Sequence, residues 1–398
     1  MSMRLRTRRL ALALSIPAWL IACGDNHSAA NAADAPIADT AIADAAIDAG
    51  EVIVRRALGM NDVTILLPLP AHPSETVLLR INGSGPGTEL VPRAIFEHID
   101  AAVPVTLDYA QYHVVALRFD LCERHSAATC AAGVDGQLRL VLQEADLHSS
   151  DATVIFDRAL HALYPIPAID VPHVINELRA LAVIADVPIT SPLLVNAAVT
   201  AGATYADRLR ALVTRYARSD RLSRLAMFIN EGGGIGISWV FGGVDVHGGG
   251  SELSELPLQG LFQHGGPPII SPFSDTPRGL AIALDQGPPF FFTASDADRM
   301  LALQAAAEAE NPRKRGFDDL QCVACHMSSS AGLAHQIDVD PGTIPGRFST
   351  TYDVSVDAFP SRFRGIGYDG KYPMIAQRVA NETAALLTEI STRFPLPQ

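Results

Sequence analysis

The stretch Cys322-Val323-Ala324-Cys325-His326 constrains this chain more than any other. Its C-x-x-C-H spacing is that of a covalent haem attachment site. Two thiols three residues apart can each form a thioether bond with a vinyl group of one porphyrin, and the adjacent imidazole can bind the iron from one face. The sequence therefore predicts one covalent haem c, held by Cys322 and Cys325, with His326 as the proximal iron ligand.

Other interpretations of the motif are a thiol–disulfide redox couple, a zinc site and a vestigial sequence. A redox couple usually follows a strand and opens the helix of a βαβ unit, and no such pattern precedes Cys322. A zinc site needs further Cys or His ligands at short spacing, and His335 is the nearest one. These features favour haem over the other interpretations.

The C-terminal hundred residues, which carry this motif, resemble the c-type cytochromes. The resemblance implies that residues 291–398 form a mainly α-helical cytochrome c-like region, with one helix on each side of the haem motif. Helical periodicity predicts these helices over residues 296–310, with Ser295 as the N-cap, and over residues 375–394. The long stretch 327–371 has no clear period and is expected to be irregular.

The sixth ligand of the iron is less clear from the sequence. The c-type cytochromes supply a Met next to a Pro downstream of the motif, and the chain has Met374 after Pro373, in reversed order. His335 is the alternative, and a ligand from upstream, such as His247 or His264, or an open position also stays possible. A Met ligand would raise the reduction potential relative to His, whereas an open position would permit small-molecule binding.

The N-terminus has the features of an exported lipoprotein. Residues 1–22 combine a basic start with a short apolar run, which is typical of a signal peptide. The segment ending in Cys23 resembles a bacterial lipobox, which implies that Cys23 is acylated and anchors the chain to the membrane of the cell envelope. Gly24 favours the outer membrane, facing the periplasm or the exterior. Residues 23–50 are rich in Ala and Asp and are predicted to be a disordered tether.

Residues 51–290 are predicted to form an α+β domain of unknown role. Alternating apolar residues predict a β-hairpin from residues 113–119 and 137–143. In an oxidising compartment, Cys122 and Cys130 in its connection are expected to form a disulfide. The predicted fold class is thus an α+β N-terminal domain followed by the cytochrome c-like region.

The formal net charge of −13 disfavours nucleic acid as a partner. Residues 239–243 and 381–387 resemble segments of a group of bacterial haem lipoproteins, which implies no particular activity. The predicted function is one-electron transfer in the cell envelope with an unknown redox partner protein. The alternatives are a haem enzyme or haem sensor with an open distal site, and a binding module with a structural haem.

Overall fold

A large antiparallel sheet organises the part of the chain that the computed structural model describes. The described residues are 53–69, 79–83, 88–103, 106–122, 133–146, 154–230, 237–263, 269–270, 294–315, 326, 328, 344–348 and 365–396. The predicted signal peptide, Cys23 and the predicted tether lie outside them. The chain divides into two units, residues 1–51 and 52–398, and only the second contains described residues.

The sheet has eight strands that pair in chain order. They are β1 (Thr64–Leu66), β2 (Tyr112–Leu121), β3 (Val134–Asp146), β4 (Val154–Pro167), β5 (Arg224–Asn230), β6 (Ile237–His247), β7 (Glu252–Gln263) and β8 (Ile269–Ile270). Each strand pairs antiparallel with the next, so the sheet is a meander.

Alternation along the strands gives the sheet two different faces. On β3 the apolar face carries Leu138, Leu140 and Leu142, whereas the opposite face carries Arg139, Val141 and Gln143. We call the second one the mixed face, because buried charged and amide side chains lie there among apolar ones. Arg118 of β2 and His161 of β4 also belong to the mixed face.

The described residues contain seven α-helices. They are α1 (Met60–Val63), α2 (Arg93–Ala102), α3 (Val171–Ala185), α4 (Ala198–Ala201), α5 (Ala203–Tyr216), α6 (Asp296–Ala309) and α7 (Gln377–Arg393). None of them combines the length and the apolar character that a membrane span requires.

Helices from the middle of the chain cover the apolar face. The hydroxyl of Tyr164 on β4 donates to the carbonyl of Leu90, just before α2, at 2.7 Å. Close by on the same face, Val171, the first residue of α3, packs so close to Gly136 of β3 that a Cβ there would lie 3.1 Å from Cγ2 of Val171. The apolar face is therefore buried in the main hydrophobic core.

The C-terminal residues cover the mixed face. Thr383 of α7 shares a hydrogen bond of 2.8 Å with Thr64 of β1. A short hairpin of β9 (Ile366–Asp369) and β10 (Tyr372–Ile375) precedes α7. Its turn residue Gly370 exchanges backbone hydrogen bonds with Ile155 of β4, at 3.0 and 3.1 Å.

The predicted fold class is wrong in its C-terminal part, which is not a mainly α-helical cytochrome c-like region. Two of the described C-terminal elements are strands: β9 lies in the stretch 327–371, which the sequence predicts to be irregular, and β10 follows it, ending at the first residue of the second predicted helix. Ile366, Tyr368 and Val379 belong to the same hydrophobic core as the sheet. The physical reason is that α7 and the hairpin bury their apolar residues against the eight-stranded sheet.

Several of the local predictions are confirmed. Helix α6 begins after Ser295, whose Oγ accepts a hydrogen bond from the backbone N–H of Asp298 at 3.2 Å, and α7 lies within the second predicted helix. Strands β2 and β3 pair as the predicted hairpin. Cys122 is disulfide-bonded. Cys130 lies outside the described residues, so its pairing with Cys122 stays a prediction.

Gln143 of β3 joins the hairpin to the sheet in the way that a strand backbone would. Its amide accepts from the N–H of Tyr368 at 2.7 Å and donates to the carbonyl of Tyr368 at 2.9 Å. Gly367, at φ +147°, allows this approach, because a Cβ there would lie 2.4 Å from Oε1 of Gln143. One buried side chain thus forms two of the hydrogen bonds that hold the hairpin on the sheet.

We expect Gln143→Leu to lower the free energy of unfolding by about 2–3 kcal/mol, because it leaves two buried backbone groups of Tyr368 without partners. Urea unfolding followed by circular dichroism measures the change. The control is Gln111→Leu, which removes an exposed hydrogen bond to Asp108 and is expected to cost less than about 0.5 kcal/mol. Equal effects of the two substitutions would contradict this role of Gln143.

Candidate functional site

The histidine of the C-x-x-C-H motif lies against the mixed face of the sheet. His326 has a helical backbone conformation and a part-buried side chain. Its imidazole stacks on the ring of Phe228 of β5, with centroids 5.1 Å apart and planes 5° from parallel. The ring of Phe241 on β6 lies 5.3 Å away at 59°. Two buried aromatic rings therefore fix the position of this imidazole.

A second histidine contacts the first. His161 lies in the middle of β4, and its ring centroid is 6.3 Å from that of His326, with an angle of 69° between the planes. Some of its side-chain surface is exposed, but neighbouring protein atoms displace most of the water around the ring. This desolvation lowers the pKa of His161 to about 3, with smaller effects from the charges of Arg139 and His326. His161 is therefore neutral at pH 7.

On the side of β5 and β6 the sheet next to His161 presents small side chains, whereas on the side of β3 His161 is paired with Val141. Ala226 of β5 is paired with His161, and Gly243 of β6 is paired with Ala226. Ala159, two residues before His161 on the same face, is also small and is paired with Phe228. Ala159, Ala226 and Gly243 thus form a strip of small residues next to the two histidines, with the aromatic rings of Phe228 and Phe241 at its border. Such a surface suits a flat, largely apolar ligand.

A buried ionic network adjoins this region. Arg118 of β2 contacts Asp120 at 2.5 Å and also binds Glu382 of α7. Arg378, one turn before Glu382 on α7, binds the same carboxylate at 2.5 Å. Arg139 of β3 lies 3.4 Å from Asp120. All five residues are no more than 8% exposed, so the network ties α7 to β2 and β3 across the mixed face.

The charges of the network reinforce one another. Burial by itself would raise the pKa of Glu382, but the guanidinium groups of Arg378, Arg118 and Arg139 together lower it well below its ordinary value. Burial by itself would lower the pKa of Arg118, and the carboxylates of Asp120 and Glu382 raise it instead. The charge of Glu382 also acts on His161, favouring its protonated form against the stronger effect of desolvation.

The N-terminal part of α7 also holds the end of α6. Arg378 donates to the carbonyls of Ala309 and Arg315 at 2.9 and 2.7 Å, and Asn381 donates to the carbonyl of Glu310 at 2.9 Å. The last carbonyls of a helix carry a partial negative charge and lack partners within the helix. A buried guanidinium therefore caps α6 just before the chain leads to the haem motif.

The structure places only some of the residues predicted from the sequence. Of the haem motif it describes His326, and the segment with Cys322 and Cys325 lies outside the described residues, as do His335 and His264. Met374 is buried on β10, with its backbone paired with that of Gly367. His247 is exposed at the far end of β6, six residues from Phe241, which corresponds to about 20 Å of extended strand. His247 is therefore remote from His326.

His161 and the ionic network were not predicted from the sequence. The signal for both was the presence of polar residues at inward positions of otherwise apolar strands. His161 stands between Leu160 and Ala162, and Arg139 stands between Leu138 and Leu140. Among the described residues, no group of three or more His, Cys, Asp or Glu side chains is arranged to hold a metal ion.

Comparisons with known proteins do not add to this description. The chain matches no family model, and searches of characterised proteins and of solved structures found no match.

Proposed function

We propose that this protein is a one-electron carrier of the bacterial cell envelope, with one haem c attached through Cys322 and Cys325 and bound by His326. The observation that carries the proposal is the position of His326. Its imidazole packs against two buried aromatic rings, those of Phe228 and Phe241, and lies beside a strip of small residues. A motif that serves only as a surface thiol pair needs no such packing of its histidine.

The residues around His326 fit a haem. Phe228 and Phe241 are 3% and 0% exposed, so they supply a rigid apolar environment of the kind that excludes water and tunes the reduction potential of an iron centre. Imidazole is a common axial ligand of haem iron. A bound haem supplies one-electron chemistry, because its iron alternates between the ferric and ferrous states.

The protein part of this function is to hold the ligands still. His326 is fixed by stacking, the sheet beneath it is braced by the ionic network, and the hairpin reaches His326 at Gly365, where a Cβ would lie 3.8 Å from its Cε1. A rigid site keeps the reorganisation of the ligands small when the charge of the iron changes. The electron would come from one redox-active protein and pass to another, and the identity of these partners belongs to the proposal.

The lipid anchor at Cys23, the outer-membrane location and the tether form part of the same proposal. Their support comes from the sequence: a basic and apolar start, a lipobox-like segment and an Ala- and Asp-rich stretch. A covalent lipid would hold the folded unit at the membrane surface.

The test is expression with haem-maturation machinery, followed by denaturing electrophoresis with a haem stain. We expect a stained band for the native sequence and none for Cys322→Ser/Cys325→Ser. The matched control, Cys122→Ser/Cys130→Ser, also removes two cysteines of an exported protein and is expected to keep the stain. A native protein without stain would contradict the proposal and leave Cys322 and Cys325 as a thiol pair.

The visible spectrum separates electron transfer from the alternatives. A low-spin spectrum that carbon monoxide does not change would support an electron carrier, because both axial positions are then occupied. A shift with carbon monoxide would favour a haem enzyme or haem sensor with an open distal site.

A further inference from the structure

We propose that His161 is the second axial ligand of the iron, so that the haem is bound by two imidazoles that are far apart in the sequence. This inference rests on the proposed function, since it needs a haem bound at His326. It assigns the ligand to a strand of the large sheet, 165 positions before His326, in place of Met374 or His335.

The distance between the two rings supports this assignment. An imidazole nitrogen binds a first-row metal at about 2.0 Å and lies about 1.1 Å from the centre of its ring, so two imidazoles on opposite sides of one ion have ring centres about 6.2 Å apart. The centroids of His161 and His326 are 6.3 Å apart. The fold itself thus holds these rings at the separation that joint binding of one iron requires.

The surroundings of the two rings support it as well. His326 stacks on Phe228, and Phe228 is paired with Ala159, which lies on the same strand and face as His161. His161 belongs to β4, and His326 packs on β5, which is hydrogen-bonded to β4. The pairing of these two strands therefore fixes the separation of the two histidines. The small side chains of Ala159 and Ala226 leave the sheet low beside His161, where a larger side chain would oppose a planar group.

A purely structural histidine would be expected to sit differently. His113, at the start of β2, is a buried histidine of that kind, because its Nδ1 lies 2.7 Å from the carbonyl of Gln111, and it is 4% exposed. His161 instead keeps some exposed surface and makes its ring contact with the histidine of the haem motif. This difference makes His113 a matched control.

The experiment is the visible spectrum of the haem-loaded full-length protein, with and without carbon monoxide, in four variants. We expect His161→Leu to keep the covalent haem stain but to lose the low-spin spectrum and to bind carbon monoxide, since Leu fills the space without binding iron. His161→Met is expected to stay low-spin with a higher reduction potential, because a Met ligand raises the potential relative to His. His113→Leu and Met374→Leu are expected to keep the native spectrum.

The outcomes separate the two proposals. A native protein without covalent haem would overturn the proposed function, and this inference with it. A stained His161→Leu variant with an unchanged low-spin spectrum would overturn only the assignment of His161. So would a Met374→Leu variant that alone binds carbon monoxide. If His161→Leu does not fold, the potential of His161→Met decides, and an unchanged potential would count against His161.

Discussion

Substitution of Glu382 by Gln is expected to lower the free energy of unfolding by about 3–5 kcal/mol at pH 7, because it leaves buried cations without their counter-charge. Glu382 binds both Arg118 and Arg378, and all three side chains are at most 8% exposed. Gln keeps the shape of the side chain, so the loss reflects charge and hydrogen bonding. Urea unfolding of the two proteins at equal ionic strength measures the difference.

Glu389 provides the control on the same helix. It forms an i,i+4 ion pair with Arg393, as Glu382 does with Arg378, but its side chain is 35% exposed. Exposed pairs of this kind contribute about 0–1 kcal/mol, so Glu389→Gln is expected to change stability little. If both substitutions cost the same, the network does not hold α7 on the sheet.

The pH dependence of this effect has a defined sign. The pKa of Glu382 is lowered in the folded state from its ordinary value of 4.5, so its contribution to stability is fully present above about pH 4.5. It is lost progressively as the pH falls below this value, because the carboxylate then takes up a proton in the unfolded chain but not in the folded protein. The difference in stability between the native sequence and Glu382→Gln is therefore expected to be constant near neutral pH and to narrow in acid. A gap that widens in acid would contradict the direction of this pKa shift.

The network also bears on the site. The charges of Arg139 and Glu382 act on the pKa of His161. Arg118 binds Glu382 and thereby connects these groups to the rest of the network. A buried network of this kind is costly to desolvate, and its formation contributes orientation more than net stability. The network thus braces the sheet next to the two histidines of the proposed haem site.

The local elements were predictable because their signals are local. Ser295 caps α6 through its own hydroxyl, and the alternation of Leu138, Leu140 and Leu142 marks β3 without reference to the rest of the chain. The haem motif is likewise a short pattern. In each case the residues that define the feature stand within one element.

The fold of the C-terminal part was not predictable in the same way. Strands β9 and β10 have four residues each and contain a glycine and a proline. Gln143, which binds Tyr368 of β9, stands 225 positions before it. No periodicity reveals a strand of this length. The resemblance to c-type cytochromes rests on the motif and on helices, and neither one reports that the helices pack on a sheet.

The site shows the same limit. His161 and His326 are brought together by the register of β4 and β5 and by the stacking of His326 on Phe228. The sequence marks His161 only as a polar residue in an apolar strand, which is a weak signal. The contact between His161 and His326 depends on tertiary packing.

Replacement of Gly243 by Ala is expected to be the other strongly destabilising change, with a loss of about 3–5 kcal/mol, because backbone strain and a steric clash combine there. Gly243 has a φ of +145°, and a Cβ would lie 2.2 Å from the carbonyl oxygen of Leu225 and 2.7 Å from Cα of Ala226. These are backbone atoms of β5, so the clash can be relieved only if the strands move apart. Urea unfolding measures the loss.

Gly133 separates the two causes of this loss. It has a φ of +84° but no described atom lies within 4 Å of a Cβ built there. Gly133→Ala therefore carries the strain alone and is expected to cost about 1–2 kcal/mol. A cost of Gly243→Ala no larger than that of Gly133→Ala would show that β5 and β6 tolerate separation.

The same substitution connects the sheet to the proposed haem site. Gly243 lies two residues after Phe241 and is paired with Ala226, which in turn is paired with His161. Separation of β5 from β6 would therefore move Phe241 relative to Phe228, and His326 contacts both rings. In the haem-loaded protein, we expect Gly243→Ala to weaken the low-spin spectrum while the covalent stain remains, because the covalent bonds do not depend on the sheet. A native spectrum in a clearly destabilised Gly243→Ala variant would mean that the strip beside His161 does not hold the ligands.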